Sequence, residues 1–167
     1  MTITDLNNLD REDFTSALSS IFEGPPWIVS EVWEARPFAS VEDLHHALCD
    51  VMYSAPQEKQ VELIRAHPDL VGKAALAGTL SPESTREQSA AGLDRLTPEQ
   101  IEEMGRLNAE YKEKYDFPFV ICARENKLAS ILAGFHTRLN NPPDTEIRTA
   151  LDEGATIAWL RLNDLIY

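Results

Sequence analysis

Alternating apolar and polar runs, the mark of β-strands, are nearly absent from this chain, and so are the residues that carry most metal and thiol chemistry. There are two cysteines and four histidines in 167 residues. Cys49 and Cys122 form no CxxC pair and have no zinc-type spacing, so they read as two buried thiols in a reducing compartment. His45 and His46 are adjacent and would point in different directions on a helix, and His136 is remote, so no metal site is expected. HxxxH and HExxH spacings, Gly-rich phosphate loops and GxSxG elbows do not occur. Basic charge is scarce: 15 Lys and Arg against 28 Asp and Glu leave a net charge of −13. That balance excludes nucleic acid, whose phosphates need neutralising, and an anionic membrane surface. No apolar run is long enough to cross a bilayer. The opening MTITDLNNLDRED lacks the basic start and apolar run of a signal peptide, and the closing LNDLIY lacks a peroxisomal tripeptide. The expected location is therefore cytoplasmic.

What the chain has in quantity is helix punctuation. LDREDFTSALSSIF carries Phe14, Leu18 and Ile21 at helical spacing. Pro25 and Pro26 open PPWIVSEVWEAR, and Pro37 closes it. Ser40 caps SVEDLHHALCDVM, with Asp43 three residues on as in a capping box. Pro56 starts PQEKQVELIRA. Ser81 and Pro82 start SPESTREQSAAGL, and Gly92 lies near its end. Thr97, Pro98 and Gln100 start TPEQIEEMGRLNAEYKEKY. NKLASILAGFHTRLN and PDTEIRTALDEGATIAWLRLNDLI also read as helices. The exception is DFPFVICARE, where Pro118 removes an N–H and pushes Phe117 toward an extended conformation with no partner strand in view. The expected fold is all-α. It is a single compact domain over residues 1–167, with about eight helices and one extended FPFVIC segment. A chain of this length can bury about 70% of its unfolded surface, enough for a core without disulfide or metal.

Four places can carry chemistry, and each has a plainer alternative. In LIRAHPDLVGKAA, Pro68 keeps His67 out of the helical region, so the helix should stop near Ala66. A helix C-terminus favours a cation. His67 is then either a proton donor near neutral pH or a surface histidine with no task. In SPESTREQSAAG, Ser84, Glu87, Gln88 and Ala91 share one helical face. That face either meets a ligand rich in donors and acceptors or is solvated. Arg161 continues a stripe of Ile157, Gly154 and Ala150, and its fork either grips an anion or closes an internal salt bridge. It is the local positive charge that an anionic ligand would need in so acidic a chain. In FPFVICA, the amides of Val120 and Ile121 either hold a ligand oxygen, as an oxyanion hole does, or belong to a buried apolar connector.

Five stretches then follow one another along the chain: FEGPPWIVSEVWEARPF, HPDLVGKAA, STREQSAAGLD, LNAEYKEKYDFPFVICARE and IAWLRLNDL. Their order and spacing resemble the family of 2-oxo-4-hydroxy-4-carboxy-5-ureidoimidazoline (OHCU) decarboxylases, of the urate-to-allantoin pathway, over nearly the whole chain. The resemblance implies an all-α enzyme, usually a homodimer, that converts the small molecule OHCU to (S)-allantoin without a metal or organic cofactor. It implies His67 and Glu87 as the catalytic pair. Ser84 and Gln88 would help Glu87 to hold the substrate hydroxyl and ring nitrogens, and Pro68 would shape the pocket floor. Phe117 and the backbone of Val120 and Ile121 would bind the ring, and Arg161 would grip a substrate oxygen or carboxylate. Asp116 stands where many relatives have Gly, and Gly154 where an apolar residue is common. Asp69 and Lys73 are left as capping and surface residues. Two rivals stand beside this reading. A helical adaptor or ligand-binding module would bind without releasing CO2, and a metal-dependent hydrolase would be inactivated by a chelator.

Overall fold

Most helix starts fall where the capping residues stand. In the computed structural model, which describes all 167 residues, ten α-helices and two 3-10 turns account for the regular structure, and there is no strand. The chain is all-α, as expected. The two helices beyond the expected eight are α1 (Ile3–Asn7) and α6 (Lys73–Ala77), five residues each and too short to show a period. The chain divides into two compact units, Met1–Leu63 with Gly154–Tyr167, and Ile64–Glu153.

The first unit holds α1, α2 (Arg11–Ala17), α3 (Trp27–Val32), α4 (Val41–Ser54), most of α5 (Gln57–Arg65) and the last turns of α10 (Pro143–Leu165). Helix α2 stops before the expected Phe22. Ser19 Oγ donates to the Ser16 carbonyl at 2.8 Å, a local bond that competes with the helical ladder. Leu18 and Ile21 are nevertheless fully buried beyond its end. Helix α4 is capped as expected by Ser40, whose hydroxyl accepts from the Asp43 amide at 3.1 Å. The return arm of the box goes one residue further out, because Asp43 accepts from the amide of Ala39 instead. Helix α3 packs on α2 and α4 over a core that includes Phe14, Ile28, Val32, Leu44 and Leu48.

The second unit holds α6, α7 (Pro82–Ala90), α8 (Pro98–Tyr115), α9 (Leu128–Arg138) and the first turns of α10. Helix α8 opens with the full Thr97–Gln100 capping box. It buries Met104, Leu107, Tyr111 and Tyr115 along one face, spaced by three and four. It ends at Asp116 with φ +62°, a left-handed cap that glycine adopts without strain. Residues 117–122 then run in neither helix nor strand to the 3-10 turn Ala123–Glu125, which packs against α7. Phe119 stacks on Phe135 at 3.8 Å and meets Tyr111 edge-on at 5.3 Å.

Beneath this segment lies a buried ion pair. The Arg138 guanidinium meets Glu146 at 2.8 Å, with Glu146 fully buried. Arg138 also donates to the Val120 carbonyl at 2.6 Å, and Tyr111 and Asn141 donate to Glu146 at 2.5 and 2.9 Å. Every carboxylate oxygen thus has a donor, which is what lets a charge stay so deep. Replacing Glu146 by Ala would leave the Arg138 charge buried without its counter-ion. Urea unfolding of Glu146→Ala should show a loss of about 3–5 kcal/mol.

Candidate functional site

Pro68 ends one helix and starts a tight loop. Helix α5 stops at Arg65, and the His67 amide still donates to the Ile64 carbonyl at 3.1 Å. The loop that follows is held from two helices. From α7, Gln88 accepts from the Val71 amide at 3.1 Å and donates to the Asp69 carbonyl at 3.4 Å. From α8, Asn108 donates to the Leu70 carbonyl at 2.8 Å and Lys112 to the Asp69 carboxylate at 3.0 Å. Val71 sits at φ +52°, a left-handed conformation that costs a β-branched residue about 1–3 kcal/mol. Gly72 has to be glycine, because a Cβ there would lie 2.7 Å from the Asp69 Cβ.

His67, Pro68 and Phe117 line one groove of about 610 Å³, together with the charged side chains of Arg65, Asp69, Lys73, Lys112 and Asp116. Phe117 is buried and stacks on Tyr115 at 5.9 Å. Three of the expected residues are therefore brought together. Of the α7 trio, Ser84 and Gln88 are buried and Glu87 is half-buried. Gln88 reaches the loop directly, with both ends of its amide engaged there. Lys127 donates to the Ala90 carbonyl at 2.5 Å, which fixes the end of α7 beside the turn after residues 117–122. In that stretch the Val120 carbonyl is taken by Arg138, while the amides of Val120 and Ile121 donate to no protein acceptor. Arg161 lies in the first unit. It is buried there, donating to the Ser20 carbonyl at 2.9 Å and pairing with Glu23 at 3.1 Å.

Both thiols are free and buried, and desolvation pushes each pKa up to about 11, so neither is a nucleophile at neutral pH. Burial also holds the Glu153 carboxyl above its ordinary value, against the opposing hydrogen bond from the Cys122 amide. No three His, Cys, Asp or Glu side chains gather as a metal-binding group, and no helix is long and apolar enough to cross a membrane.

The family model for OHCU decarboxylase matches residues 7–163. The chain belongs to the OHCU decarboxylase family. It is 38% identical to the 2-oxo-4-hydroxy-4-carboxy-5-ureidoimidazoline decarboxylase of Halalkalicoccus jeotgali, over 99% of this chain and 92% of that protein. It is 40% identical to the protein of that name from Amia calva, over 99% of this chain and 95% of the relative. Among solved structures, (S)-allantoin synthase matches with a TM-score of 0.79 at 24% identity, over 99% of this chain. The match covers 54% of the synthase chain, so this chain spans about half its length, and a likeness at that identity speaks for the fold.

Within this member of the decarboxylase family, sequence reasoning passed over the residues that hold the site together. Asn108 sits among Met104, Leu107 and Tyr111 on the buried face of α8, and a polar side chain on an apolar stripe was the available signal. Arg138 gave the same signal after Ile131 and Phe135 on α9. The logic applied to Arg161 would have found both. Gln88 now carries a structural expectation of its own. Gln88→Met leaves the Val71 amide without its acceptor, so urea denaturation should show a loss of about 1–3 kcal/mol. An unchanged midpoint would mean the loop does not depend on it.

Glu153 adds a pH dependence. Its folded pKa is raised, so its contribution to stability is full below the unfolded value of 4.5 and is lost as pH rises through the folded value. Glu153→Gln should therefore gain stability relative to the parent as pH rises from 4.5 to neutral, when melting temperatures are compared across that range.

Proposed function

We propose that this chain is a carboxy-lyase that converts OHCU to (S)-allantoin without a cofactor, a step of urate breakdown. The observation that carries the reading is a groove lined by His67, Pro68 and Phe117 in a chain that matches the OHCU decarboxylase family from residue 7 to residue 163. The reading takes residues 1–167 as one OHCU decarboxylase domain, cytoplasmic and homodimeric, with OHCU as its small-molecule partner.

The substrate's own structure makes a cofactor unnecessary. Its carboxylate and hydroxyl share one ring carbon, next to a C=N bond. When the C–CO2 bond breaks, the electron pair moves into the ring and the neighbouring C=N takes up the charge. CO2 leaves and an enol remains. One proton delivered to one face of the adjacent ring carbon sets the handedness, and collapse of the enol to the carbonyl gives allantoin. The protein has to orient the ring, stabilise the developing charge and supply that proton.

In this proposal His67 lies beside the leaving carboxylate, and it, or a water it holds, delivers the proton. Pro68 keeps its backbone out of the helical ladder. Glu87 and Ser84 hold the hydroxyl and the N–H groups. Gln88 fixes the loop and has one further amide N–H for the substrate. The extended FPFVIC backbone offers the Val120 and Ile121 amides to ring or ureido oxygens, and Phe117 supplies an apolar wall. Orientation and preorganised donors would each lower the barrier by several kcal/mol, and a general acid adds roughly 10²–10⁴-fold.

The test is to generate OHCU from urate in situ and follow its decay and the handedness of the allantoin. Spontaneous decay gives racemic product, so stereochemistry is the sharper readout. Wild type should give (S)-allantoin with and without EDTA. His67→Asn should lose 10²-fold or more, in the range of a lost general acid, and Glu87→Ala should lose most activity while keeping its fold by circular dichroism. Full turnover in His67→Asn would sink the role of His67, and ligand binding without CO2 release would make the chain a binding module. Arg161→Gln separates two roles for that arginine: a lower melting temperature with unchanged KM would leave it as a structural residue tied to Glu23 and the Ser20 carbonyl.

A further inference from the structure

We propose that Lys73 is a substrate-binding residue of the His67 groove that holds the carboxylate OHCU loses. The inference rests on the OHCU reading above. It begins from charge: a chain with a net charge of −13 repels an anionic substrate unless one site is locally positive. Arg161 is already paired with Glu23.

The groove supplies the positive charge elsewhere. Two of its cations are neutralised by two of its acids, Arg65 by Asp116 at 2.6 Å and Lys112 by Asp69 at 3.0 Å. Lys73 lines the same groove, is exposed, and has neither an ion-pair nor a hydrogen-bond partner. One uncompensated positive charge therefore faces the space that His67 faces.

The surrounding backbone fits this use. None of the five residues of α6 is buried, so the helix contributes little to the core. Its sequence, KAALA, carries one group with polar chemistry, the Lys73 ammonium. Its base is nevertheless held in place. Gly72 lies too close to Asp69 to carry a side chain, and Asp69 is held by Gln88 and Lys112. The flexible stem of Lys73 thus starts from a fixed point next to the His67 loop. A compact ammonium on such a stem can follow a carboxylate without demanding the planar match an arginine needs.

The chemistry also separates substrate from product. OHCU carries the carboxylate and allantoin does not, so Lys73 favours the first over the second. A contact to the departing group holds the ground state at least as firmly as the transition state, so it acts on KM more than on kcat.

Steady-state kinetics on OHCU generated in situ test the proposal, at low and high salt, for wild type, Lys73→Gln, Lys73→Arg and Lys73→Glu. Lys73→Gln should raise KM about tenfold with kcat within about twofold, the size of one charge-assisted contact. Lys73→Arg should restore KM to within about twofold, and Lys73→Glu should raise it beyond the Gln variant. The fall of kcat/KM with salt should be shallower in Lys73→Gln than in wild type. Inhibition by (S)-allantoin should be equal in wild type and Lys73→Gln. An active wild type with the same KM in Lys73→Gln overturns the role of Lys73 alone, and so does a KM that rises together with the allantoin inhibition constant, which would mark a distorted groove. A wild type that leaves the spontaneous decay of OHCU unchanged overturns the function itself, and the role of Lys73 with it.

Discussion

The second unit depends on one buried charge, the Glu146 carboxylate. A carboxylate with no exposure survives only if both of its oxygens find donors. The donors come from separate pieces of chain: Tyr111 of α8, Arg138 at the end of α9 and Asn141 in the turn beyond it. Arg138 in turn spends a donor on the Val120 carbonyl and lays its guanidinium 4.2 Å from the centre of the Phe119 ring. Tyr115 closes the arrangement by donating to the carbonyls of Arg138 and Asn141. Such a pair adds little net stability over an apolar core of the same volume. Its effect is geometric. It ties α8, α9, the first turns of α10 and residues 117–122 into one hydrogen-bonded arrangement.

A second polar system, on the same helix, holds the groove. Asn108 and Lys112 of α8 reach the 66–72 loop, while Tyr111 and Tyr115 reach the Glu146 network. Helix α8 is therefore the common reference for both walls of the groove, the His67 loop on one side and Phe117 on the other. Its capping box and its left-handed stop at Asp116 set where that reference begins and ends. The local choices at Thr97 and Asp116 thus bear on where His67 and Phe117 stand.

Much of this was legible in the sequence, for reasons that differ by element. The capped helices α4, α7 and α8 announce themselves because Ser40, Ser81 and Thr97 satisfy orphan amides locally, and a local bond leaves a local signature. The five-residue helices α1 and α6 leave no period to read. His67 and Pro68 stood out because a residue before proline has few conformations open to it. The division of labour at the site did not stand out. That Gln88 spends its amide on the Val71 and Asp69 backbone, and that Arg161 finds Glu23 across 138 positions of sequence, are facts of tertiary pairing that no spacing rule contains. The same holds for the ion pair of Asp69 and Lys112, 43 positions apart.

The left-handed Val71 has a thermodynamic consequence. Its strain is held in place because its amide, and the carbonyls of Asp69 and Leu70, are bound by side chains of α7 and α8. The loop has therefore given up its conformational entropy during folding. On the function proposed above, a ligand bound at His67 does not have to order the backbone beneath it, nor strip water from peptide groups that already have protein partners. The free energy of its contacts then appears in affinity and orientation, without a deduction for assembling the site around it.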